Sequence, residues 1–158
     1  MNITIVTGTI NSFKTQRLLK IAKQQSHVDG YIAIKTMQEN NVHSYYALRL
    51  KTHTTELLAM HENFYRNHFN NTLKHGPYYF NVDAFKTIEQ VLVSLSNNDQ
   101  IKTVIIDEIG QLEVQNKGFH HALQTVIKSH KNIVISVSKK HLKKVINHYQ
   151  FDNPKIIE

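Results

Sequence analysis

The stretch Ile3-Thr4-Ile5-Val6-Thr7-Gly8-Thr9-Ile10-Asn11-Ser12-Phe13-Lys14-Thr15, continuing into Gln16-Arg17-Leu18-Leu19-Lys20-Ile21-Ala22-Lys23, decides the fold. Ile3 to Val6 is a short apolar run rich in β-branched residues, as a buried strand requires. From Thr15 onward, Leu18, Leu19, Ile21 and Ala22 recur at helical spacing with Arg17, Lys20 and Lys23 between them. The turn between strand and helix nearly matches the phosphate-loop pattern G-x-x-x-x-G-K-[ST]. Gly8, Lys14 and Thr15 fit it, and Phe13 stands where the pattern has its last glycine.

Such a loop works through inward-pointing backbone N–H groups at the positive end of the following helix. Residues Gly8, Thr9, Ile10, Asn11, Ser12, Phe13, Lys14, Thr15 and Gln16 are therefore the candidate nucleotide-binding segment. Lys14 is the candidate charge for the β- and γ-phosphates, and Thr15 supplies a hydroxyl suited to Mg²⁺. Glycine is used at position 13 because the backbone passes close to phosphate in a conformation costly for other residues. The Phe13 ring either swings outward, where it could cover the site or stack on a base, or fills the site and abolishes binding.

Downstream, Thr103-Val104-Ile105-Ile106 is a second buried-strand run, ending in Asp107-Glu108-Ile109-Gly110. A parallel α/β sheet places its ligand chemistry at the C-terminal ends of central strands. Asp107 there is suited to hold Mg²⁺ with Thr15, directly or through water. Glu108 is suited to orient or deprotonate an attacking water. Alone, either motif could be a polar turn; in this order they form the two halves of a nucleoside triphosphate site.

The run DEIGQLEVQNKGFHHAL, Asp107 to Leu123, resembles the signature of a family of small P-loop nucleoside-triphosphatases. That family includes the thermophile-type enzymes and their vertebrate relative, the cancer-related nucleoside-triphosphatase. Glu113 and Phe119 match its second glutamate and downstream phenylalanine. The likeness extends to the loop and first helix, to Asp29-Gly30-Tyr31, to the stretch with Tyr45, Tyr46 and Arg49, and to GPYYFNVDAF. It implies a RecA-like, three-layer α/β domain with a mainly parallel sheet and an inserted β-hairpin. It also implies slow hydrolysis of nucleoside triphosphates, ATP or GTP, with broad preference. Lys14 and Glu108 carry over as catalytic residues, and Thr15 and Asp107 as the magnesium residues. Phe13 departs from the family pattern, as does Gln16. The alternative is a non-catalytic P-loop domain, impaired by Phe13, acting as a nucleotide sensor or protein-interaction module.

Length and composition agree with one domain spanning residues 1–158. A chain this long buries roughly two-thirds of its unfolded surface. No apolar run approaches the roughly 20 residues of a membrane span, and the chain enters a strand at once, so a cytoplasmic protein is expected. There is no cysteine, which excludes disulfides and thiolate chemistry. The net charge of +7 arises from 19 basic against 12 acidic residues, and all but Arg17, Arg49 and Arg66 of the basic ones are lysines. Phosphoryl transfer is often accelerated by an arginine aimed at the γ-phosphate. Arg49 is the candidate here, with a lysine of the Lys139-Lys140 turn as substitute.

Lys139, Lys140, Lys143 and Lys144 could also form a nucleic-acid patch, but no nucleic-acid motif accompanies them and a solvated helix face is preferred. The eleven histidines show no ligand spacing and are read as surface or packing residues. Tyr45, Tyr46, Tyr78, Tyr79 and Phe80 are read as half-buried strand residues, with Tyr78 or Tyr79 near a bound base if their loop borders the site. Coarse periodicity places strands at 2–7, 30–37, 42–50, 103–107 and 133–137, and helices at 15–26, 82–95, 117–129 and 139–149. Residues 52–71 stay ambiguous, His75-Gly76-Pro77 marks a loop, and 155–158 is a last edge strand or a frayed tail.

Overall fold

The computed structural model describes residues 1–158. Its centre is five parallel strands that alternate with helices. These are β1 (Ile3–Gly8), β2 (Val28–Gln38), β7 (Thr103–Ile109), β8 (Asn132–Ser138) and β9 (Lys155–Ile157). In space they run β2-β7-β8-β1-β9, each parallel to its neighbour. β8 thus separates the strand that feeds the phosphate loop from the one that carries Asp107.

Side-chain alternation explains why both faces must be covered. Ile5, Val104, Ile106, Ile133 and Ile135 point into the larger core, under α2 (Val82–Ser96), α4 (His120–Lys128) and α5 (Leu142–Tyr149). Their neighbours Val6, Ile32, Ile105 and Val134 point to the other face, onto Leu18 and Ala22 of α1 (Lys14–Lys23). The result is helix, sheet, helix: the three-layer architecture expected. No helix is long and apolar enough to cross a membrane.

The far half of the sheet is antiparallel. β2 turns back into β3 (Asn41–Arg49), the expected hairpin, with Tyr31 opposite Arg49 and Lys35 opposite Tyr45. The extension is longer than one hairpin, adding β4 (Thr55–His61), β5 (Thr72–His75) and β6 (Tyr78–Asn81). The ambiguous 52–71 region therefore contains a strand. His75-Gly76-Pro77 is part of a tight turn between two short strands, with Gly76 at φ 55°. Tyr78 to Phe80 are half-buried strand residues, as expected.

The helix expected from Lys117 begins at His120, because Asn116 and Gly118 both take positive φ (60° and 59°) after the short α3 (Gln111–Val114). The last helix starts at Leu142, and Lys155–Ile157 is an edge strand paired with β1.

Candidate functional site

The site lies at the C-terminal rim of the parallel strands. Gly8 ends β1 and packs so tightly under the loop that a Cβ there would meet Ser12 Oγ at 2.1 Å. The loop then turns through Asn11 (φ 62°) and Phe13 (φ 61°, ψ 25°), both left-handed. This is the physical reason for glycine at position 13 in the pattern: the backbone requires a conformation that disfavours a Cβ. Phe13 adopts it regardless, and the residue is 65% exposed. Of the two dispositions open in the sequence, the ring is outside and does not fill the loop.

Phe13 is also the N-cap of α1 and supplies no side-chain hydrogen bond to the helix's free N–H groups. No acidic residue sits in the first turn. α2 shows the alternative: Asn81 Oδ1 accepts from the N–H groups of Asp83 and Ala84, and Asp83 lies in the first turn. α2 satisfies its own N-terminus, whereas α1 leaves its positive end uncapped beside the loop. Lys14 Nζ donates to Thr9 O at 3.0 Å, and Arg17 Nη1 donates to Ser12 O at 3.2 Å. Lys139 N–H donates to Gly8 O at 2.9 Å, so the turn after β8 is fastened to the loop's base.

The two halves meet at Asp107. Thr15 Oγ1 donates to Asp107 Oδ2 at 2.8 Å, Ala33 N–H donates to the same oxygen at 3.1 Å, and Ser136 Oγ donates to Oδ1. Hydroxyls from α1 and β8 and a backbone N–H from β2 thus converge on the one carboxylate of β7. Asp107 is only 4% exposed. Burial raises its pKa, opposed by the bonds from Ser136, Thr15 and Ala33 and by the charge of Lys14.

Glu108, the next residue, reaches solvent, yet protein encloses it enough to raise its pKa, and the Asp107 charge adds to the rise. Lys14 and Lys140 oppose it. The charge of Lys140 is therefore felt at the rim. On β3, Tyr45 is half-buried, its ring edge-on to Tyr78 at 5.3 Å between centroids. Burial raises the Tyr45 pKa, helped by Tyr78 and by the charges of Glu108 and Asp107. Tyr79 faces elsewhere, stacked on Tyr65 at 4.3 Å. Of the two loop tyrosines singled out in the sequence, only Tyr78 packs against Tyr45.

Arg49 is a correction. Its Nε and Nη2 donate to Asp29 Oδ2 at 3.1 and 2.9 Å. Asp29 lies near the start of β2, at the opposite end of the parallel strands from Asp107. Arg49 neutralises a buried carboxylate there and is not aimed at the rim. Nothing local in the sequence marks this pairing, since the partners are twenty residues apart. Glu113 is structural as well. Its Oε2 accepts from Gly110 N–H at 2.8 Å and its Oε1 from Phe119 N–H at 3.0 Å, which fixes the turn that follows Glu108.

Lys35 was not singled out in the sequence, where it lies within the strand expected at 30–37. It donates from Nζ to Asn11 Oδ1 at 2.8 Å and so touches the loop from β2.

A family model described as NTPase matches residues 3–157. The nucleoside-triphosphatase THEP1 of Picrophilus torridus is 23% identical over 150 residues, covering 92% of this chain and 79% of that one. The crystal structure of THEP1 from the hyperthermophile Aquifex aeolicus superposes with a TM-score of 0.73 at 20% identity, covering 100% of this chain and 89% of that one. The solution structure of a human cancer-related nucleoside triphosphatase gives 0.70 at 18% identity, covering 100% and 88%. These two likenesses establish the fold.

Proposed function

The chain belongs to the NTPase family, and on that premise we propose that it is a Mg²⁺-dependent hydrolase of nucleoside triphosphates, with residues 1–158 acting as one P-loop domain in the cytoplasm. The observation that carries this is the hydrogen bond from Thr15 to Asp107, which joins the loop to the downstream strand beside Glu108. Substrates would be ATP or GTP with broad preference. A nucleic-acid role is not favoured, and no protein partner is assigned.

The donor set fits magnesium. Thr15 and Asp107 offer hard oxygen ligands only, beside a loop that would bring phosphate oxygens. When bound, Mg²⁺ would neutralise charge on the β- and γ-phosphates. The amides of Gly8 to Gln16 and the ammonium of Lys14 would hold the phosphates. Asp107, held by three donors, would fix the Thr15 hydroxyl in orientation.

Glu108, with its pKa raised, suits a general base. It would accept a proton as the water oxygen bonds to the γ-phosphorus. The bond from that phosphorus to the β–γ bridging oxygen breaks. The nucleoside diphosphate leaves with the bridging oxygen, and inorganic phosphate and a proton complete the balance.

The test is phosphate release with ATP and GTP, with and without Mg²⁺, in the wild type and in Glu108→Gln. Turnover in the variant is expected to fall roughly 10²- to 10⁴-fold while nucleotide affinity is kept. Full activity in Glu108→Gln would remove Glu108 from the assignment. No magnesium-dependent binding by the wild type would remove the enzyme itself.

A further inference from the structure

We propose that Lys35 is the cation that contacts the terminal phosphate, in the place an arginine takes in many phosphoryl-transfer sites. The inference rests on the triphosphatase assignment above and deepens it. β2 is long, and its ladder with β7 ends at the pair Tyr31–Ile106. It continues past the rim, so that Ala33 reaches Asp107 and Lys35, on the same face two residues on, stands beyond the strand ends where the loop lies. There its ammonium is 2.8 Å from the amide oxygen of Asn11, at a left-handed bend of the loop.

Across the hairpin, Lys35 is paired with Tyr45, whose ring stands edge-on to Tyr78. The strand that carries Lys35 to the loop at Asn11 also carries Ala33 to the Asp107 carboxylate, two residues earlier. A terminal phosphate, carrying more charge than an amide oxygen, would draw the ammonium from Asn11.

The arginines are otherwise engaged. Arg49 holds Asp29 near the start of β2, Arg66 donates to the carbonyls of Asn63 and Tyr65, and Arg17 donates to Ser12 O in the loop itself. A lysine lacks the planar fork of arginine, and its contribution should be correspondingly smaller. Slow turnover would follow from that chemistry.

The experiment compares Lys35→Ala, Lys35→Arg and Lys140→Ala with wild type by calorimetric titration with Mg-ATP and with ADP, and by single-turnover phosphate release. In Lys35→Ala, kcat should fall roughly 10²-fold, with KM rising by no more than the wild-type ratio of ATP to ADP affinity. Its preference for ATP over ADP should collapse toward one while ADP affinity stays at the wild-type value. Lys35→Arg should restore both readouts at least in part. Equal loss of ATP and ADP affinity would show that Lys35 only props the loop, and would overturn the proposal. Loss of the ATP preference in Lys140→Ala but not in Lys35→Ala would overturn it too.

A wild type that binds ATP but does not turn it over would defeat the hydrolase assignment and still leave the affinity ratio to decide Lys35. A wild type that binds neither nucleotide would defeat both.

Discussion

Asp29 and Asp107 are both sealed into this sheet, one near the N-terminal end of β2 and the other near the C-terminal end of β7. Each accepts hydrogen bonds on both oxygens, yet their donors differ in kind. Asp29 takes the guanidinium of Arg49 together with the N–H groups of Gly30 and Lys51. Asp107 takes two hydroxyls and one N–H, all neutral. A buried carboxylate needs a counter-charge. The chain supplies one at Asp29, and at Asp107 it arranges neutral donors at the rim of a phosphate loop. Under the proposed function, the difference separates a structural acid from one poised for a cation brought by a ligand.

The comparison breaks or holds on matched substitutions. Arg49→Ala leaves Asp29, 0% exposed, with a charge and only N–H partners. It should cost roughly 3–5 kcal/mol in urea unfolding, the usual penalty for breaking a buried pair. Asp107→Asn removes a charge that burial already disfavours and forfeits one acceptor. It should stay within about 1 kcal/mol of wild type while magnesium-dependent triphosphate binding is lost. A large stability loss at Asp107 would mean that it, too, is structural.

Glu113 sharpens the contrast from the other side, because it is buried at the rim and yet held only by N–H groups. Glu113→Gln turns an N–H₂ toward Gly110 or Phe119 and should cost roughly 1–3 kcal/mol. Burial raises the Glu113 pKa above the ordinary carboxylate range. In the window between the unfolded and folded pKa values, the folded state binds the extra proton. The stability Glu113 contributes is therefore fully present in acid and is lost as pH rises through its folded pKa. Thermal unfolding of wild type and Glu113→Gln across that range should show the gap widest in acid and narrowing upward. A gap that widens with pH would contradict the direction of the shift.

What could be read from the sequence was the chemistry that is local. The loop, the Lys14-Thr15 pair and the Asp107-Glu108 strand end each lie within a few residues, and βα alternation orders them on one rim. The roles that depend on distant partners could not be read this way. Arg49 looked free because Asp29 precedes it by a whole hairpin, and Lys35 drew no reading because nothing local says that β2 outruns β7. Gly30 was noted only as the entry to a strand. Its φ of 137°, and the 2.0 Å approach of a Cβ to Ile105 O, show that the position next to Asp29 tolerates no side chain. The short strand β5 went unread because four residues carry too little alternation to tell a strand from a loop.

The smallest expected effect concerns Phe13 and tests whether the loop is strained but open. A left-handed L-residue costs about 1–2 kcal/mol relative to its relaxed backbone. The exposed ring recovers little of that by burial. Phe13→Gly removes the steric cost but adds backbone entropy to the unfolded chain, which offsets part of the gain. A net stabilisation of up to about 1 kcal/mol is expected, seen as a rise in Tm of a few degrees. Nucleotide affinity should rise as well, because the loop amides no longer depend on a disfavoured dihedral at the N-terminus of α1. If Phe13→Gly instead lowers both Tm and affinity, the ring makes a contact worth more than its backbone strain. Phe13 would then be part of the nucleotide's surroundings and not a tolerated defect of the loop.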